Sequence, residues 1–74
     1  MEILKIENSS AISQISINEE ESLVGISFTY NPNKEYLFVC DEVEEVKSQI
    51  QSTDSVGKLI NLFRKNGTLK QLNI

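Results

Sequence analysis

The fold of this 74-residue chain is decided by the stretch Tyr36-Leu37-Phe38-Val39-Cys40-Asp41-Glu42-Val43-Glu44. In its first half, Tyr36, Phe38 and Cys40 alternate with Leu37 and Val39, which is the period of a β-strand. From Asp41 onward, the apolar residues recur at helical spacing instead, as Val43, Val46 and Ile50. The stretch therefore marks the point at which a β half of the chain gives way to an α half.

Alternation of the same kind precedes this stretch and predicts an antiparallel meander. Residues 11–17, 23–30 and 35–40 each read as a strand, and the short connections between them favour antiparallel pairing. Ile3 and Ile6 lie in a short apolar start that is either a first strand or an ordered arm. The inner face of the sheet is expected to carry Val24, Ile26, Phe28, Tyr36 and Phe38, unless the inner phase is shifted by one residue.

Residues typical of turns and helix caps occur between the predicted strands and helices. The run Asn31-Pro32-Asn33-Lys34 is typical of a turn, because proline fixes φ and asparagine tolerates positive φ. Asp41 suits the N-cap of a first helix, with Glu44 completing a capping box. Ser52-Thr53-Asp54 offers a cap for a second helix, and Asn66-Gly67 is typical of its C-terminal end.

Two helices are therefore expected after the strands, the first of them running to about Gln51. Their buried faces are expected to carry Val43, Val46, Ile50, Val56, Leu59, Ile60 and Phe63. Leu69 and Leu72 lie in a tail that can dock on this core. The prediction is a single α+β domain over residues 1–74, in which a small antiparallel β-meander of three to four strands precedes two C-terminal α-helices packed on one face.

Charge is distributed unevenly along the chain. The net charge is −4, but residues 1–54 hold all eleven acids and carry −8, whereas residues 55–74 carry +4. Nucleic acid therefore repels the molecule as a whole, but not its last quarter. The single cysteine and the lack of a long apolar segment indicate a cytoplasmic protein with no membrane partner.

The sequence shows no constellation of catalytic residues. It has no histidine, so Cys40 lacks the usual base partner of a nucleophilic thiol. Cys40 is in phase with Tyr36 and Phe38, and we interpret it as a small core residue. The run Glu19-Glu20-Glu21 lacks the glycine and spaced ligands of a calcium loop and is interpreted as a solvated turn. We expect a non-enzymatic protein with no cofactor and no metal site.

The candidate interaction surface has two parts. Two tyrosines flank the predicted turn and could stack on bases or on a partner, although rings in phase with aliphatic residues usually cover a core. On the second helix, polar and basic side chains point away from the apolar stripe and could contact phosphates or an acidic neighbour. The ordinary interpretation of that helix face is a solvated one. The predicted surface consists of Tyr30, Tyr36, Lys58, Asn61, Leu62 and Lys65.

The order of these features resembles that of a known family. They are Ser9-Ser10 before Ile12, the segment Tyr36-Leu37-Phe38 after a turn, a capped helix, and the run Ser55-Val56-Gly57-Lys58-Leu59-Ile60-Asn61. Together they resemble the KTSC domain, named for its occurrence at the C-terminus of some lysyl-tRNA synthetases, over about residues 5 to 67. The family usually carries Tyr-x-Tyr and, later, Ser-x-Gly-x-aromatic-Asn. Here Phe38 replaces the second tyrosine, and Leu59-Ile60 stands where an aromatic is common.

The resemblance implies a small stand-alone bacterial or phage protein, for which an RNA-binding role has been suggested. From the residues themselves, the missing catalytic groups, the small core and the acidic surface favour a protein-interaction module with an accessory, assembly or inhibitory role. A protein partner or self-association is expected, in the host cytoplasm or in a virion if the protein is phage-encoded. The alternative is an RNA or single-stranded nucleic-acid binding module that uses the basic second helix.

Overall fold

The computed structural model describes residues 2–7 and 9–72. In chain order its elements are β1 (Glu2–Lys5), β2 (Ile12–Asn18), β3 (Leu23–Phe28), β4 (Asn31–Val39), α1 (Val43–Ser52), α2 (Val56–Asn66) and β5 (Lys70–Gln71). The strands form one sheet in the order β1-β2-β3-β4-β5, and every neighbouring pair is antiparallel. The predicted α+β fold is confirmed, with five strands in the sheet instead of three to four.

The core lies between one face of the sheet and the two helices. Because successive strand residues point to opposite faces, one alternating set faces the helices. The buried members from β2, β3 and β4 include Ile15, Ile17, Val24, Ile26 and Phe38, each at most 2% exposed. The helices contribute Val43, Val46, Ile50, Val56, Ile60 and Phe63. The half-buried residues at the margin include Phe28, Tyr36 and Leu59. The predicted inner face and helix stripes are thus confirmed.

The chain returns to the sheet after α2. Gly67 ends that helix with a φ of 85°, the left-handed conformation predicted for an Asn-Gly terminus. Leu69 is buried, as expected, and its N–H donates to the Phe63 carbonyl at 3.1 Å. The next two residues, Lys70–Gln71, pair with the end of β4 as a fifth strand. Two residues are too short to show a period, so the sequence pattern predicts only a tail here.

The turn between β3 and β4 lies earlier than predicted. Phe28 pairs with Asn31, so Thr29 and Tyr30 form the turn, and the expected turn residues 31–34 belong to β4. The register shifts between Ser27 and Phe28, which leaves residues 32–34 as a bulge without opposing residues. Proline cannot donate to a ladder and is confined in sheets to bulges and edges. The Thr29 hydroxyl holds the turn by donating to the Ser10 carbonyl at 2.7 Å.

Neither helix uses its predicted N-cap. Helix α1 begins after Glu42 and α2 begins after Ser55, and neither of these side chains makes a capping hydrogen bond. The Cys40 N–H still donates to the Ser22 carbonyl at 2.9 Å, so the sheet pairing extends almost to Asp41 and the helix starts too late for Asp41 to cap it. The Thr53 hydroxyl accepts from the Ser55 N–H at 3.2 Å, in the link between the helices.

Candidate functional site

The helical part of the predicted surface lies on the exposed side of α2. Lys58, Asn61 and Lys65 are exposed, and the Leu62 side chain between them is 55% exposed. The spacing of four and three residues places Lys58, Leu62 and Lys65 on one stripe of the helix. Across residues 2–7 and 9–72, no carboxylate lies within ion-pair distance of these lysines. This stripe is therefore a solvated polar surface that surrounds one exposed leucine.

The predicted tyrosines belong to an aromatic cluster at the β3–β4 turn. The Phe28 and Tyr30 rings stack with centroids 5.5 Å apart and planes inclined by 19°. The Phe28 and Tyr36 rings meet edge to face, with centroids also 5.5 Å apart. Tyr36 is half-buried, whereas Tyr30 is 75% exposed. The expectation that both rings cover the core is right for Tyr36 and wrong for Tyr30, because the early turn carries Tyr30 out of the strand.

Two cations that the sequence reasoning did not select border this cluster. The Lys34 ammonium, in the β4 bulge, lies 5.0 Å from the centroid of the Tyr36 ring. The Arg64 guanidinium lies 5.7 Å from the centroid of the Phe38 ring. Loss of hydration and the neighbouring Tyr36 raise the pKa of the Tyr30 phenol, while the charge of Arg64 acts in the opposite direction. The aromatic patch is defined as Phe28, Tyr30, Lys34, Tyr36 and Arg64.

The sheet face opposite the helices carries a second candidate surface. Leu23 lies opposite Val39 in the β3–β4 pair, and Leu72 donates a backbone hydrogen bond of 2.9 Å to Leu37. By strand alternation these four apolar side chains share the outer face. Leu72 is 37% exposed and the other three are half-buried. In the described part of the chain, none of the four packs against the core between sheet and helices. Leu23, Leu37, Val39 and Leu72 are termed the open face.

Small residues and one carboxylate adjoin the open face. Ser16, Gly25 and Ser27 are buried although they lie on the side away from the helices. The Glu35 side chain crosses Gly25, and the Ser16 hydroxyl donates to Glu35 Oε2 at 3.0 Å. The Glu35 carboxylate is therefore held close to the sheet, beside Leu37.

Carboxylates gather at one end of the sheet. The β2–β3 turn and the start of α1 share a concavity lined in part by Glu19, Asp41, Glu42, Glu44 and Glu45. Beside it, Glu2 pairs with Lys47, and this contact raises the pKa of the Lys47 ammonium. The residues that the structure describes contain no group of three side chains placed to hold a metal ion. These carboxylates lie in the β2–β3 turn and at the start of α1, where the helix dipole favours negative charge.

Cys40 lies in the core, as predicted. Its side chain is 1% exposed. Burial, more than the nearby charges of Asp41 and Glu42, raises the pKa of the thiol. The thiol is therefore protonated at neutral pH and poorly placed to act as a nucleophile.

Comparisons with known proteins identified no relative of this chain. No protein-family model matches the chain, and neither a curated protein nor a solved structure matches it. No helix among the described residues is long and apolar enough to cross a membrane. The resemblance to the KTSC domain stays a prediction from sequence motifs, and Ser9 and Gly57, which belong to two of those motifs, lie close together. A Cβ on Gly57 would lie 3.8 Å from the Ser9 hydroxyl oxygen.

The open face was missed by sequence reasoning, although a signal for it exists. In β4 the inward residues Tyr36 and Phe38 alternate with Leu37 and Val39, which are also apolar. A strand that is apolar on both sides is typical of a sheet with neither face fully in water. The same run that locates the boundary of the β half therefore also indicates the second apolar face.

Proposed function

We propose that this protein is a non-enzymatic interaction module that binds a protein partner on the open face. The observation that carries the proposal is the adjacency of Leu23, Leu37, Val39 and Leu72 on the sheet face away from the helices. A sheet face that meets only water normally carries polar residues. Burial of apolar surface is the main driving force for protein association, so a contiguous apolar surface favours this function over a catalytic one.

The surroundings of the open face match the anatomy of a protein interface, in which a polar rim encloses an apolar centre. Lys70 lies opposite Val39 at one side, and Asn18 lies opposite Leu23 at the other. Glu35 adds an acceptor that is already positioned by its hydrogen bond with Ser16. A partner that presents apolar side chains next to an arginine or a lysine would complement this surface, because a charge-assisted bond to a fixed carboxylate is stronger than a neutral one.

The test is a comparison of two identical substitutions at different surfaces. Leu37→Lys places a charge on the open face, and Leu62→Lys makes the same change at the 55%-exposed leucine of α2. Partners are captured from the native host with each variant and with the unmodified chain, then quantified by mass spectrometry. We expect Leu37→Lys to reduce the specifically captured partner by ~10-fold or more, since a charge buried at an interface costs several kcal/mol, and Leu62→Lys to leave it unchanged.

The opposite outcomes have clear meanings. Loss of the partner with Leu62→Lys alone assigns the interaction to α2, as the sequence predicts. Equal capture by all three proteins contradicts the proposal. Circular dichroism and thermal unfolding of both variants establish that each retains the fold.

A second function, binding of single-stranded nucleic acid, is favoured by the aromatic patch. Tyr30 presents an exposed ring already stacked on Phe28, and unpaired bases stack on such rings without strong sequence preference. Lys34, beside the Tyr36 ring, and Arg64, beside the Phe38 ring, supply positive charge that would attract the phosphates of a bound strand. This surface keeps the predicted tyrosines but replaces Lys58 and Lys65 with two other cations.

Fluorescence anisotropy with a labelled 12-nucleotide RNA tests the second function over a range of salt concentrations. Tyr30→Ala is expected to weaken binding by ~10-fold, because one base–aromatic stack contributes about 1–3 kcal/mol. Lys34→Glu should weaken binding further and flatten its salt dependence, while Lys58→Glu serves as the control. Binding that survives Tyr30→Ala, or that responds only to Lys58→Glu, rules out the aromatic patch.

A further inference from the structure

Strand β1 is an edge of the sheet with unpaired backbone groups, in the part of the chain that the structure describes. The Ile6 N–H donates to the Ser13 carbonyl at 3.1 Å, and Leu4 lies opposite Ile15. Inward and outward groups alternate along an antiparallel strand. Ile3 and Lys5 therefore direct their N–H and C=O groups away from the sheet and toward solvent, where another extended strand can pair with all of them.

A groove with both apolar and polar lining residues, among them Gln51 and Thr53, runs beside this edge on the side of the helices. Its volume is about 340 Å³, and Leu4, Ile6, Ile50 and Val56 are its apolar lining inward of the edge. Ile50 and Val56 are buried core residues, whereas Leu4 and Ile6 are half-buried. A strand added to β1 would place every second side chain over this groove. The same ligand therefore fits both the edge and the groove: an extended segment with an apolar residue that faces the helices.

We propose that the occupant is β1 of a second copy of this chain, paired antiparallel about a twofold axis perpendicular to the sheet. In the register centred on Leu4, Ile3 of one copy lies opposite Lys5 of the other. Four backbone hydrogen bonds then use all the outward groups of these two residues in both copies. The result is a continuous sheet with five strands from each copy and all helices on one side.

The side chains complement one another in this register. The two Leu4 side chains meet at the axis and enter the paired grooves. On the outer face, the aliphatic stem of Lys5 covers Ile3 of the other copy, which is 55% exposed in the single chain. One contact therefore covers an unpaired edge, the apolar residues that line the groove and an exposed isoleucine.

The charge distribution favours this antiparallel arrangement. Glu2 lies at the acidic end of the molecule, where it shares a concavity with Glu19 and Glu20. Antiparallel pairing places the two acidic ends at opposite ends of the dimer, whereas parallel pairing would set them side by side against like-charge repulsion. A four-residue strand pair buries less than the ~1,200 Å² of a standard interface, so we expect a weak, transient dimer. This edge is separate from the open face, and the two can be tested independently.

Disulfide trapping tests the register in the full chain. Residues 4 of the two copies would have Cα atoms ~4.5 Å apart as a non-hydrogen-bonded pair, within disulfide range. Residues 5 would lie about 8 Å apart, outside it. Under mild oxidation we expect Leu4→Cys to form a covalent dimer at least ~10-fold faster than Lys5→Cys, although position 5 is the more exposed. Equal rates, or faster trapping of Lys5→Cys, overturn the proposal.

Sedimentation equilibrium up to ~1 mM tests the hydrogen bonds. Ile3→Pro removes an outward donor and leaves the β1–β2 ladder intact, because Ile3 does not bond to β2. Ile3→Thr keeps the donor and a β-branched side chain, so it is the control. We expect Ile3→Pro to weaken dimerisation at least ~10-fold and Ile3→Thr at most ~3-fold. A chain that stays monomeric at ~1 mM, including one that instead binds an unrelated extended peptide at β1, contradicts the proposal.

Discussion

The Ser16 hydroxyl donates a hydrogen bond of 3.0 Å to Glu35 Oε2, and the Glu35 side chain reaches it by crossing Gly25. A Cβ at position 25 would lie 2.5 Å from the serine oxygen and 2.6 Å from Glu35 Cδ. Both distances are shorter than real contacts. The bond between Ser16 and Glu35 therefore depends on glycine at the residue between them.

This dependence predicts a coupling between Gly25 and Glu35. Glu35→Ala alone should lower the free energy of unfolding by about 1 kcal/mol, through loss of the bond to Ser16. In a Gly25→Ala background the carboxylate is already displaced, so Glu35→Ala should lower the free energy of unfolding by less than ~0.3 kcal/mol. Urea unfolding of the four proteins measures both values, and equal losses in the two backgrounds would contradict the geometry.

Replacement by alanine should change the free energy of unfolding in opposite directions at Gly57, inside α2, and at Gly67, which ends that helix. Gly67 has a φ of 85°, so Gly67→Ala strains the end of α2 and should lower the free energy of unfolding by about 1 kcal/mol. At Gly57, a Cβ would meet Ser9 Oγ at 3.8 Å and Ala11 Cβ at 4.0 Å, which are ordinary contacts. Gly57→Ala should therefore raise the free energy of unfolding by roughly 0.5 kcal/mol, through helix propensity. Thermal unfolding of both variants provides the comparison, and a loss of stability with Gly57→Ala would show that the added methyl group does not fit beside Ser9 and Ala11.

Truncation of isoleucine to valine should lower the free energy of unfolding much more in the core than at the β1 edge. Ile26 is fully buried, so Ile26→Val should lower the free energy of unfolding by about 1 kcal/mol. Ile3 is 55% exposed, so Ile3→Val should stay within ~0.5 kcal/mol of the unmodified chain when measured on dilute monomer. Chemical denaturation at low protein concentration tests the pair, and similar losses would mean that β1 is packed more tightly than the structure shows.

Cys40 should make stability fall at high pH. Burial raises its thiol pKa above the reference value of 9.0, so the folded protein retains the proton that the unfolded chain releases. The stability contributed by this group is complete below the unfolded pKa and is lost as the pH rises through the folded pKa. We expect the difference in unfolding free energy between the unmodified chain and Cys40→Ala to shrink between pH 8 and pH 10.5.

Other titrating groups are common to both proteins in this comparison, including Lys47 and Tyr30, whose pKa values are also raised. Their contributions cancel in the difference. A difference that stays constant with pH would show that the thiol is hydrated. Slow reaction of the native thiol with a disulfide reagent, and fast reaction in urea, would provide independent support for burial.

The sequence predicts those parts of the fold in which an alternating or helical pattern of apolar residues is repeated over several residues. The run from Tyr36 to Cys40 and the stripe from Val56 to Phe63 are each long enough to specify one face, and both faces are confirmed. Features set by contacts between residues that are distant in sequence were not predictable. The turn at Thr29 and Tyr30 depends on hydrogen bonds to Ser10 and Ala11, which are distant in sequence.

The candidate site divides in the same way. Exposure of Lys58 and Leu62 follows from helical periodicity, and the structure agrees with it. The grouping of Tyr30 with Lys34 and Arg64 depends on where the turn falls and on how α2 lies over the sheet. Neither can be predicted from local sequence, so the two cations of the aromatic patch were identified only from the structure.

The two-residue strand β5 has a consequence for solubility. It covers the outer edge of β4, which at nine residues is the longest strand described. If β5 detached, the outward backbone groups of Leu37 and Val39 would become free beside an apolar surface. Long, apolar, unpaired edges recruit strands from other molecules and begin fibrillar aggregation. The edge of β4 is therefore kept covered by Lys70, which lies opposite Val39, and by Leu72, whose N–H donates to the Leu37 carbonyl.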